Sequence, residues 1–194
     1  MYKYSFFFVL FLILGGHGYA YERVYEPVIP EKIVVSLSGK HVKKYANLKQ
    51  KALKSRSYNI KQKFKNKTFT VRIAAKHSGD WINVAQGRAR LTGDWKDHLG
   101  KVSHNVSSIN VKLVKGNLGG VIRFRLLLPE TKRAENEIFW STLMEELGFP
   151  VPFRKIVTVD FAGYELPMIF EEKPAKEFLE SWGIREAPII EADE

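Results

Sequence analysis

The chain has no cysteine, so no disulfide can form and no cysteine can carry a lipid; the fold must be held by packing alone. Acidic residues are missing altogether between Lys40 and Arg72, where twelve Lys and Arg stand. Aromatics are too sparse within that stretch to stack on nucleic acid bases, which argues against nucleic acid as a partner. Long apolar runs are also lacking. The longest, Phe6 to Leu14, is cut by Gly15, Gly16 and His17, well short of the roughly 20 residues a membrane span needs. The five histidines have no metal-ligand spacing, and no Ser-His-Asp set can be argued.

What is present begins with Lys3, the apolar run and the small-residue site Gly18-Tyr19-Ala20, the layout of a signal peptide over residues 1–20 with cleavage after Ala20. The product expected is periplasmic or extracellular, without a transmembrane anchor. The 174 residues that remain suffice for one domain. Charge is divided unevenly: residues 1–129 hold 24 Lys and Arg against 6 Asp and Glu, and residues 130–194 hold 7 against 15. Such asymmetry implies either a half that faces a polyanion or two halves that face each other across a cleft.

Residues 21–67 form a basic N-terminal segment in which Val42, Tyr45, Leu48 and Ala52 recur at helical spacing over His41 to Lys54. From residue 68 the pattern alternates. Phe69, Val71 and Ile73 share one face of a strand, and Arg88–Thr92, Ile109–Val114, Val121–Leu128 and Ile156–Phe161 read as further strands. Gly163 turns the chain into Glu165–Phe170, making a hairpin. One helix carries Phe139, Leu143 and Leu147 on one face with Trp140 and Met144 beside them, and ends at Gly148 and Pro150. A shorter helix runs from Pro174 to Gly183. The fold class expected for residues 68–194 is α+β: a mostly antiparallel sheet with one well-defined packed helix and a short C-terminal helix.

The phrases Phe124-Arg-Leu-Leu-Leu-Pro129, Asn136-Glu-Ile-Phe-Trp140, Glu146-Leu-Gly-Phe-Pro150 and Phe170-Glu-Glu-Lys-Pro174 resemble the spore-coat protein H (CotH) family of atypical, often exported protein kinases. The resemblance covers about Arg88 to Glu194 and implies the smaller, nucleotide-binding lobe of such a kinase, with ATP and Mg2+ as cofactors and a protein substrate as partner. It places Gly93, in the loop Thr92–Leu99, where backbone amides approach phosphate. Phosphoryl transfer needs a cation on the nucleotide phosphates, for which Lys112, Arg123 and Arg125 are candidates, and a helix carboxylate to hold it, for which Glu137 is the candidate. Glu171, Glu172 and Lys173 fall where a kinase hinge would run. Each has a plainer reading: a tight turn for Gly93, solvent-facing strand positions for the basic residues and the hinge set, and a favourable helix N-terminal charge for Glu137. Asp94, Asp97 and His98 could also be read as hard-metal ligands. Ser107 and Ser108 stand where the family has paired lysines.

The larger lobe, which would supply the catalytic base and metal ligands, has no counterpart before the chain stops at Ile190–Glu194. The expectation is therefore a fragment that binds nucleotide, with the chain's status as an enzyme left open. The alternative is a non-catalytic envelope protein that grips anionic polymer or surface through Lys40–Arg72. Asn66-Lys-Thr68 and Asn105-Val-Ser107 fit glycosylation sequons.

Overall fold

The computed structural model describes residues 21–77, 79–100 and 106–189. The signal peptide read at 1–20, Asn105 of the second sequon and the chain end at 190–194 lie outside them. Alternating apolar residues build seven strands: β1 (Lys32–Ser36), β2 (Thr68–His77), β3 (Asp80–Leu91), β4 (Ile109–Lys115), β5 (Arg123–Leu127), β6 (Arg154–Phe161) and β7 (Tyr164–Glu172). Four helices accompany them: α1 (Gly39–Leu53), α2 (Gln62–Lys65), α3 (Ala134–Glu146) and α4 (Lys176–Ser181). None is long and apolar enough to cross a membrane.

The strands close into a barrel in the order β1-β2-β3-β4-β5-β7-β6. Neighbours are antiparallel except β1 and β6, which run parallel and complete the ring. This corrects the expected α+β lobe. The expected sheet had open edges, whereas Ile33 and Val35 of an additional strand pair with β2 on one side and β6 on the other, leaving no edge. Ile33, Val35, Phe69, Val71, Ile73, Val111, Phe124, Leu126, Val159, Phe161 and Phe170 fill the interior. Burying each such side chain contributes about 1.5–3 kcal/mol relative to leaving it in water.

Helix α1 stops one end of the barrel. The Tyr45 ring lies 5.2 Å from that of Phe69 and 5.1 Å from that of Phe161, and its hydroxyl shares a 2.8 Å hydrogen bond with the Ser107 hydroxyl. Lys49, buried beside it, donates to the Val106 carbonyl at 2.8 Å.

Helix α3 crosses between β5 and β6, which are separated in the sheet by β7. It is not the packed helix expected. Phe139 is 62% exposed, Trp140 59% and Leu147 58%. The face turned inward instead carries Ile138, Ser141, Met144 and Glu145. Polar contacts fix that orientation: the Arg154 guanidinium donates to the Ser141 hydroxyl and pairs with Glu137 at 3.8 Å. Arg23 also donates to Glu145 at 2.9 Å. Around α4, Phe178, Leu179 and Trp182 form a small apolar cluster with Val151 and Ile184.

Candidate functional site

On the outer face of the barrel, pairing aligns one residue from each of five strands: Arg90 of β3, Asn110 of β4, Arg125 of β5, Glu171 of β7 and Arg154 of β6. Adjacent members are about 4.8 Å apart, the spacing between hydrogen-bonded strands. Above this row lies a cleft of about 700 Å3, within the size range of small-molecule sites. Its walls are the turn Thr92–Trp95, the segment carrying Thr131 and Lys132, Lys65 of α2, and Pro152, Lys173 and Pro174.

Six cations line the cleft (Lys65, Arg90, Arg125, Lys132, Arg154 and Lys173) against two carboxylates, Asp94 and Glu171. Both carboxylates are engaged. Arg125 donates to one oxygen of Glu171 at 3.0 Å, and Arg154 to the other at 2.8 Å. Lys65 donates to Asp94 at 2.5 Å and holds that carboxyl below its usual range. Glu171 is only 5% exposed, a depth at which a carboxylate is tolerated because two guanidiniums compensate it. The Arg125 Nε–H is buried and has no hydrogen-bond partner among the described residues.

Gly93 has a φ of 88°, a conformation that favours glycine, and its Cα faces the His98 ring so closely that a Cβ would overlap it. His98 in turn shares a 3.1 Å hydrogen bond from Nδ1 with the Ser108 hydroxyl, whose oxygen also accepts from the Leu128 N–H at 3.0 Å. Burial lowers the His98 pKa below the ordinary imidazole value, so at neutral pH the ring is uncharged. The turn is docked from outside as well, since the Ile60 N–H donates to the Asp94 carbonyl at 2.7 Å. The Trp95 ring, 62% exposed, stands at the lip.

Of the residues singled out from sequence, the cleft brings together Gly93, Asp94, His98, Arg125, Glu171 and Lys173. Lys112 and Arg123 face each other one row further out, in register with Arg88, and are exposed. The expected pairing of Arg125 with Glu137 is replaced: Arg125 takes Glu171, and Glu137 pairs with Arg154. Glu172 belongs to the other face of β7. There it accepts from the Phe153 N–H at 3.1 Å and from Arg23 at 3.4 Å, and burial raises its pKa. Arg23 also donates to the Val151 carbonyl at 2.8 Å and lies 4.6 Å over the Trp182 ring, so Glu172 is part of a structural clasp. Of the residues read as a hinge, Glu171 and Glu172 lie in β7, a strand paired with β5 and β6, and Lys173 follows its end.

Sequence reasoning missed Arg154, Arg90, Lys65 and Lys132. For Arg154 a signal existed: a hairpin turning at Gly163 with Phe161 opposite Tyr164 places 154 opposite 171. Among the described residues no group of three or more His, Asp or Glu could hold a metal ion, and the cleft's two carboxylates are paired with cations. The arrangement suits recognition of a multiply charged anion through charge-assisted hydrogen bonds. No protein-family model matches the chain, and no curated protein matches it.

Proposed function

We propose that the protein binds a nucleoside polyphosphate in this cleft, with the phosphates over Arg125, Arg154 and Lys132 and the base against the Trp95 ring. The observation that carries the reading is charge held in place: six cations line a cleft whose two carboxylates are both engaged, and Glu171 fixes the Arg125 and Arg154 guanidiniums side by side at 3.0 and 2.8 Å. The export signal read at residues 1–20 would put this binding outside the cytoplasm. Because no carboxylate in the cleft is free, binding is expected to survive chelation of divalent ions.

Calorimetric titration with ATP, tripolyphosphate and adenosine tests the reading. ATP should bind one to one, tripolyphosphate should compete with it, and adenosine should bind at least about tenfold more weakly. Arg125→Gln and Arg154→Gln should each weaken ATP by about tenfold or more, the loss of one charge-assisted contact worth about 1.4 kcal/mol. Trp95→Ala should weaken ATP while sparing tripolyphosphate. Failure of ATP to saturate the protein at millimolar concentration would remove the proposal.

A further inference from the structure

A second concavity, of about 680 Å3, lies on the far side of α2 from Lys65, between that helix and α1. Lys44, Leu48 and Lys51 stand along one face of α1 at positions i, i+4 and i+7. Across the gap are Lys63, Phe64 and Lys67. Leu48 belongs to the barrel's apolar core and Phe64 packs against it half-buried, so together they make an apolar floor. The four lysines are exposed and form two banks, Lys44 and Lys51 about 10.5 Å apart along the helix axis. No carboxylate lines the trough, and among the described residues none of these lysines is in an ion pair. Lys63 leans over the Phe64 ring at 5.3 Å from its centroid, a cation placed directly beside the apolar surface.

We propose that this trough binds a single-tailed anionic lipid, its alkyl chain along Leu48 and Phe64 and its headgroup held by the lysines on either bank. Charge selects the sign of the ligand, and the floor selects its kind. A hydrophilic polyanion would satisfy the lysines and leave the floor wet, whereas a neutral amphiphile would cover the floor and leave four like charges facing one another. Only a molecule with both parts uses both surfaces. The site is independent of the nucleotide cleft, since Lys65, which belongs to that cleft, sits on the opposite side of the same helix and is tied to Asp94.

The test is calorimetric titration of the full protein with dodecyl phosphate below its micelle concentration, beside laurate, dodecyl maltoside and tripolyphosphate. Dodecyl phosphate and laurate should bind one to one, and dodecyl maltoside, with the same tail and no charge, at least about tenfold more weakly. Replacing Lys44, Lys51, Lys63 and Lys67 together by Gln should weaken dodecyl phosphate by about tenfold or more. Asn47→Trp, a substitution at an exposed position on the trough wall, should block the site without touching the core. Both variants should keep the wild-type melting temperature. Binding unchanged in the Asn47→Trp or quadruple-Gln variant would overturn the proposal. So would tripolyphosphate displacing dodecyl phosphate from the Arg125→Gln protein, since the trough would then be a simple polyanion patch.

Discussion

At the scale of single residues, the cleft depends on a close approach that only glycine permits. Gly93→Ala places a Cβ against the His98 ring at a φ of 88°. We expect it to cost at least about 2 kcal/mol in urea denaturation, from overpacking and backbone strain together. Combined with His98→Ala, the glycine substitution should recover only part of the steric cost, because the Cβ that alanine keeps at 98 still lies 2.6 Å from the added one, and it retains about 1 kcal/mol from the backbone. For Gly93 the family resemblance implies phosphate contact and the plainer reading is a tight turn; neither can name His98, which reaches back through a 3-10 turn at Lys96–Leu99 whose geometry no spacing announces. Arg125 and Glu171 were legible as site residues, and their mutual pairing follows from strand register. Arg154, opposite Glu171, could have been found by counting back from the hairpin turn.

At the scale of elements, the strands from Ile109 onward and the longer helices followed the apolar periodicity, whereas the first half of β3 (Asp80–Leu91) was not read and the orientation of α3 was not foreseen. In α3 the pattern of Phe139, Leu143 and Leu147 looks like a core stripe, yet Arg154 and Arg23 hold Ser141 and Glu145 inward, leaving Leu143 half-buried and Phe139 and Leu147 exposed. Helix α1 shows the reverse, an outwardly basic helix whose buried face carries a lysine. Burial lowers the Lys49 pKa from the usual 10.5 to about 8. The unfolded chain therefore binds more protons at this position between about pH 8 and pH 10, and stability from Lys49 rises with pH across that window. In Lys49→Met this rise should be absent. The stability difference between the two proteins should shift toward wild type by on the order of 2 kcal/mol from pH 8 to pH 10, read from denaturation curves at each pH.

At the scale of the whole molecule, closure of the ring is what the sequence concealed. The run Lys32–Ser36 is short, and its two partners lie far along the chain, so local periodicity gives no sign that it joins the sheet. Val34 pairs with Ala74 on one side and Asp160 on the other. Val34→Pro removes a donor and stiffens a strand bonded on both flanks, and should cost at least about 2 kcal/mol. Val34→Thr, which keeps the backbone intact, should change stability by about 1 kcal/mol or less. Circular dichroism during thermal melting distinguishes the two.

The parallel seam between β1 and β6 also sets an order of events during synthesis. A ribosome delivers the first of these strands early and its counterpart nearly last, after the intervening hairpins have emerged. Until then the nascent polypeptide carries raw backbone on its leading strand, attractive to any passing extended segment. The ring can close only once β7, which joins β6 to β5, has also been made, so residues 32–36 lack their second neighbour until nearly all of the barrel is available.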